Sequence, residues 1–505
     1  MKRDWTSRTT LLLVGLILIV VNLIGVNLFF RLDLTDDEVY SLSDASIRLV
    51  ENLEDPVTLT AYFTENLPAP YGSNRRFLRD KLADYRAYGG ANVHYRLIDP
   101  SADEELQEEA QRYGIPAVQI QVIEQDNVQL KNAFMGLVVE YGGERKAIPV
   151  VQDLSTLEYD ITSAIRGLTR GELPVVGFLT GHGEPGLFED LQILGEELRR
   201  NYQVQEVSIA DSSLTLRPDV LMIVAPTDSL TDSELRVLDR YVQDGGHVAF
   251  LLNKVVADLQ TQQAQLHSVN LEPLLSSYGT GLNPNLIMDE QSSAITIQRR
   301  QGFFNLAQQI RYAFLPIVTR FNRENMMVSR LGEVMFYFVS SIDTAQTLPE
   351  GVLFEPLAYS SGSSGMQQGF FMIQPNQQEA RLSGGPYVLA AAYHGSFPSP
   401  FSPGMKSRTA RIVIVGDGDF INESIVGQIP GNIEFALNIV DWLAQDDDLL
   451  SIRAKKIEPR QLPEIAEGLR PWIKYGNLLL PVLMVLIIGF VRWRRRTSRE
   501  VILVG

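Results

Sequence analysis

Two short stretches of this 505-residue chain hold residue types that could do chemistry: Gly181-His182-Gly183-Glu184 and Gly416-Asp417-Gly418-Asp419. Each follows a short apolar run of strand character, at 175–179 and 411–415. In a parallel sheet all strand carboxyl ends share one edge, and α/β folds bind ligands along it. The expectation is that the two loops lie side by side there. His182, Glu184, Asp417 and Asp419, with Asn422 just beyond, then line one ligand-binding pocket. One imidazole and three carboxylates suit a metal, a sugar or a peptide. Crowded like charges would raise at least one carboxyl pKa unless a cation or a donor offsets them. The competing use is structural: glycines make tight turns, Asp and Asn cap helices, and His182 bonds a loop. Binding is favoured over catalysis. The chain has no cysteine, no G-x-S-x-G elbow and no H-E-x-x-H or paired-His spacing. No catalytic residue, metal or cofactor is assigned. No G-x-x-x-x-G-K-[ST] loop exists to cradle phosphates, so any ATP-driven step belongs to other chains.

The elements that position these loops fall into two α/β domains. Over 31–170 the order reads β-α-β-α-β-β-α, with strands at 57–63, 92–98 and 117–122 and a hairpin around Gly142-Gly143. That order resembles the thioredoxin fold, here without cysteines and so without its redox chemistry. The Ile115-Pro116 step sits where that fold carries a cis proline, so a cis bond is expected. Over 171–254 and 408–448, apolar strands alternate with helices at 187–200 and 231–242, which implies a doubly wound parallel sheet. This second domain is similar to the class I glutamine-amidotransferase-like α/β fold. Those enzymes use a Cys nucleophile on a strand-to-helix elbow, which this chain cannot supply. Residues 255–407 are rich in Gln, Ser, Gly and Pro and read as an insertion.

Two apolar runs of membrane-spanning length bracket these domains, at 11–30 and 472–491. Lys2, Arg3 and Arg8 precede the first; Arg492, Arg494, Arg495, Arg496 and Arg499 follow the second. Positive flanks stay cytoplasmic. The expected topology is a 1–10 cytoplasmic tail, a span, an extracytoplasmic body, a 449–471 linker, a second span and a basic 492–505 tail. The lipid contact is through these two spans. The formal net charge is −17 even with the basic tails counted, so the body is strongly acidic. That excludes a nucleic-acid partner, because phosphate neutralisation needs Lys and Arg. A cysteine-free body needs no oxidative folding, which suits the outer side of a bacterial inner membrane.

The ordered string Tyr40-Ser41-Leu42-Ser43, Ile98-Asp99-Pro100, Glu158-Tyr159, Gly181-His182-Gly183-Glu184, Gly416-Asp417-Gly418-Asp419-Phe420 with Asn422, and Asn432 through Asn438 to Trp442-Leu443 resembles one known family. It is similar to the auxiliary component of the gliding-motility type ABC transport systems (GldG-like). The resemblance covers the body and both spans. It implies an ABC-type permease and a separate ATPase subunit as partners, and it gives no biochemical activity. A further envelope protein or glycan partner fits a body facing outward. The competing functions are an envelope hydrolase using His182 with Asp417 or Asp419, and a glycan- or peptide-binding module.

Overall fold

Ser43 precedes the helix that opens the described body. Its hydroxyl accepts from Ser46 N and caps α1 (Asp44–Glu51). In this computed structural model the described residues are 41–453, apart from 66, 68–70, 125–126, 152–153, 155, 211–212, 302–303 and 376–381, plus a few isolated positions in the two terminal runs. The expected spans at 11–30 and 472–491, and most of the 449–471 linker, lie outside them. Among the described residues no helix is long and apolar enough to cross a membrane. Residues 1–456 form one unit and 457–505 another; the description below concerns the first.

The first domain is built on β1 (Val57–Phe63), whose residues are nearly all buried. It pairs parallel with β2 (Val93–Ile98) through α2 (Asn74–Gly89). After α3 (Glu104–Arg112), the chain makes a separate two-stranded hairpin from β3 (Val118–Glu124) and β4 (Asn127–Ala133). Only then does β5 (Met135–Tyr141) pair antiparallel with β1, and β6 (Glu144–Ile148) with β5. The sheet order is β2-β1-β5-β6. Gly142 and Gly143 turn the last hairpin at φ 58° and 89°, conformations that exclude most other residues. Helix α4 (Leu157–Thr169) closes the domain, packing on β5 and β6 and burying Leu157, Ile161 and Ile165 in the core.

Two expectations fail here. The strand at 117–122 does not join the main sheet, because β5 takes the place beside β1. With Gln119 and Gln121 alternating with Val118, Ile120 and Val122, β3 has one apolar face only and stays in its own hairpin. Ile115-Pro116 is therefore not the lead-in to a sheet strand. Its peptide bond is trans; among the described residues the cis bond is at Gly385-Pro386.

The second domain centres on one eight-stranded sheet. Five strands are parallel: β7 (Val175–Leu179), β8 (Gln203–Val207), β9 (Val220–Val224), β10 (His247–Leu251) and, much later, a strand at Ala410–Val415. The segment at 255–407, expected as an insertion, supplies β11 (Arg320–Phe321), β12 (Val352–Tyr359) and β13 (Val388–Gly395), which extend this sheet antiparallel. With the Ala410–Val415 strand as β14, the order is β11-β12-β13-β14-β10-β9-β7-β8. Both faces are covered. In β9, Val220, Met222 and Val224 pack with α5 (Gln192–Arg199) and the helix Gly431–Leu443. Leu221 and Ile223 pack the other way, with α6 (Asp232–Gln243) and α7 (Glu272–Ser277). A strand buried on both faces reads as a continuous apolar run, which is why VLMIV is legible.

Beyond α8 (Gly431–Leu443) the body does not give way to linker at 449. Asp447–Arg453 forms α9, with Leu449, Leu450 and Ile452 buried. The acidic run at 446–448 is a helix start, where carboxylates are favoured.

Candidate functional site

Four loops leave the carboxyl ends of β7, β9, β10 and β14 on one edge of the sheet. In the β7 loop, Gly181 (φ 116°) and Gly183 (φ 74°) hold the turn that only glycine takes easily. A Cβ on Gly183 would also lie 2.0 Å from Thr227 Oγ1. The turn buries His182, whose ring lies between two carboxylates. Nε2 is 3.2 Å from Glu234 Oε1 and Nδ1 is 3.5 Å from Glu184 Oε1. Glu184 Oε2 accepts from His182 N at 2.6 Å. Glu234 also completes the capping box of α6 with Thr231. Despite some desolvation, the Thr231 hydrogen bonds and the His182 contact hold its carboxyl below the usual range. The imidazole thus staples the β7 loop to the start of α6.

The β14 loop is built differently. Asp417 is fully buried and accepts from Tyr337 N at 2.6 Å and Asp419 N at 2.7 Å. Burial, then the neighbouring Asp419 charge, pushes its carboxyl well above the usual range. Burial also raises Asp419, against the hydrogen bond from Asn253 Nδ2 at 2.9 Å. Asn253 Oδ1 accepts from Gly418 N at 2.7 Å, so one amide holds both loop residues. Asn422 caps the following turn by accepting from Ser424 N. The glycines permit close approach. A Cβ on Gly416 would fall 1.9 Å from Ser340 O, and one on Gly418 would fall 2.6 Å from Leu251 O. Gly416→Ala should lower stability by at least about 1–3 kcal/mol, the usual cost of overpacking, because a backbone carbonyl cannot yield as a side chain can. Urea unfolding of the body would measure it; an unchanged midpoint would contradict the packing described.

The two loops share an edge but not a pocket. β9 and β10 lie between β7 and β14. At about 4.8 Å per strand that is roughly 14 Å. His182 and Glu184 turn to Glu234; Asp417 and Asp419 turn to Tyr337 and Asn253. The loop after β9 bridges them: Thr227 N and Asp228 N donate to His182 O at 2.8 Å, and Ala225 packs on Gly418. No group of three or more His, Asp or Glu placed to hold a metal occurs among the described residues. Ala225 is itself at φ 41°, a strained elbow at the end of a central strand. It carries only a methyl group there, so the elbow offers no nucleophile.

A second constellation lies on α4, at Glu158-Tyr159. Glu158 Oε1 accepts from Ser43 N at 2.7 Å and Ser46 Oγ at 2.8 Å. Lys81 Nζ lies 3.5 Å from Oε2 and also donates to Ser41 O at 3.0 Å. Glu158 therefore holds the segment that follows the first apolar run. Tyr159 holds the segment that precedes the second. Its hydroxyl bonds Arg453 and accepts from Asn201 Nδ2, and the Arg453 guanidinium sits 4.4 Å from its ring centre. Arg453 reaches Asp441 at 3.0 Å, and Tyr202 OH donates to Asp441 at 2.7 Å. Burial pushes Asp441 up, with Arg453 opposing. Two turns further along α4, Arg166 pairs with Asp446. Ala45 of α1 packs with Leu449 and Ile452 of α9, and Arg48 pairs with Asp448 at 2.7 Å. The sequence signal was present in Tyr40-Ser41-Leu42-Ser43 and Glu158-Tyr159. It needed the fold to show that these motifs meet.

Comparison with known proteins places this geometry. Residues 36–140 match a domain of unknown function. An uncharacterized protein of Borreliella burgdorferi is 21% identical over 494 residues, covering 92% of this chain and 93% of that protein. Among solved structures, the mmIFT52 N-terminal domain aligns with 53% of this chain and 96% of that chain, at 13% identity and a TM-score of 0.34. Residues 173–442, from the start of the second domain through Trp442 of α8, match the family described as "ABC-type uncharacterized transport system". The match spans more than half of the chain and includes both glycine-rich loops, so the chain belongs to this family of ABC-transport auxiliary proteins.

Proposed function

We propose that the protein is a non-catalytic, membrane-anchored auxiliary subunit of an ABC-type transport complex, with its body outside the cytoplasmic membrane. The observation that carries this reading is the meeting of α1 and α9 on α4. Among the described residues, the first helix after one apolar run and the last helix before the other are in contact, through Ala45, Leu449, Ile452 and the Arg48–Asp448 pair. Only 31–43 and 454–471 then connect the body to the two runs. That arrangement suits a body tethered to one membrane at both of its ends. Motion of either helix would be felt at Glu158-Tyr159 and passed to both domains.

The absence of an ATP-binding loop and the methyl group at the Ala225 elbow favour a subunit that works through partners. The partners implied by the family are a permease and a separate ATPase. The order β2-β1-β5-β6 supports a thioredoxin-like reading of the first domain, with no redox role in a chain without cysteine. Five parallel strands with helices on both faces support a doubly wound, amidotransferase-like reading of the second. The topology is tested with a reporter active only in the periplasm. Fused at exposed Ser363 it should be active, and fused after Gly505 it should be silent. Activity after Gly505, or silence at Ser363, would contradict the two-span anchoring.

A further inference from the structure

The carboxyl end of β10 opens onto a cavity of about 280 Å³ that neither glycine-rich loop uses. It lies just below the usual range for ligand pockets, roughly 300–1,000 Å³. That size suits a small metabolite and excludes a dinucleotide. One wall is apolar, formed by Leu252, Val269, Leu271 and Leu275, all buried. The other is polar. Lys254 and Glu272 form an ion pair at 2.5 Å, and His267 Nε2 is buried without a hydrogen-bond partner. A buried polar atom left so costs about 1–3 kcal/mol, which an occupant would recover. Partial burial works against ionisation of Glu272, but Lys254 and Ser268 hold its carboxyl below the usual range, so it is charged near neutral pH.

The charges define the occupant. The Lys254–Glu272 pair is neutral in sum and sits in a chain of net charge −17. Asp419 lies just behind Asn253. A bare anion would meet Glu272, and a bare cation would meet Lys254. A zwitterion meets neither penalty: its carboxylate faces Lys254 and His267, its ammonium faces Glu272, and an aliphatic side chain covers the leucine wall. We propose that this cavity binds a small zwitterion with an aliphatic side chain, an α-amino acid of the leucine type. Asn253 then joins the occupied cavity to the β14 loop, since its amide bonds Gly418 and Asp419.

Calorimetric titration of the full chain in detergent tests this, with L-leucine, 4-methylpentanoate and 3-methylbutylamine as probes. Leucine should bind saturably, and each analogue, lacking one charge, should bind at least about tenfold more weakly. Gln346→Trp, which fills the mouth, and Lys254→Met should abolish leucine binding, with Gln346→Trp unfolding at the parent midpoint. If Lys254→Met fails to fold, Gln346→Trp alone decides. No heat from leucine at millimolar concentration, equal binding of 4-methylpentanoate, or leucine binding that survives Gln346→Trp would overturn the proposal.

Discussion

Arg453→Ala should destabilise the body by about 3–5 kcal/mol, the cost of leaving one half of a buried ion pair behind. Asp441 is fully buried and Arg453 is its nearest cation. The same change removes the guanidinium from the Tyr159 ring and from Asn438 Oδ1. Burial already raises the Asp441 carboxyl, so the variant should take up a proton there rather than keep an unpaired charge. The double variant Asp441→Leu, Arg453→Met should recover most of the loss, because apolar replacement of a buried pair is often neutral. Urea unfolding of the three proteins decides it. A single variant as stable as the parent would mean that the pair does not hold α9 to α8.

Glu158→Ala should have a second large effect, about 3 kcal/mol, from a different cause. It removes the acceptor of Ser43 N and Ser46 Oγ and a carboxylate facing the buried Lys81 ammonium. The loss should be local. Hydrogen exchange should quicken throughout α1 while β9 and β10 keep their protection, since those strands lie in the other domain. Equal exchange in α1 of parent and variant would show that Glu158 does not clamp the chain as it enters the body.

The strands of the second sheet were legible because strands covered on both faces carry uninterrupted apolar runs, as in VVGFL, VLMIV and RIVIV. The partner order was not. Nothing local tells Ala410–Val415 to pair with His247–Leu251, or places β9 and β10 between the two glycine-rich loops. Sharing an edge follows from parallel strands; adjacency depends on strand order. The helix expected at 187–200 begins only at Gln192. The Gly186 amide donates to Asp190 Oδ2, and Asp190 N donates to Gly186 O, which holds 186–190 as a turn. The 117–122 pattern marks a strand but not its sheet, because a one-faced pattern suits a separate hairpin as well as the main sheet. In the candidate site, His182, Asp417 and Asp419 stood out by residue type. Glu234, Asn253 and Ala225 did not, because their roles come from contacts across 52, 166 and 193 residues of sequence, to His182, Asp419 and Gly418. Glu158-Tyr159 looked like an ordinary helix start for the same reason.

As an auxiliary subunit of an ABC-type complex, this protein should purify with the other subunits. Purification of the chain in mild detergent from its native membrane, with mass spectrometry of what remains bound, tests that most directly. A polytopic permease and a separate ATPase should be recovered in reproducible ratio, and both should be lost when the apolar runs at 11–30 and 472–491 are removed. Recovery of the protein without either subunit, under conditions that keep other membrane complexes intact, would contradict it.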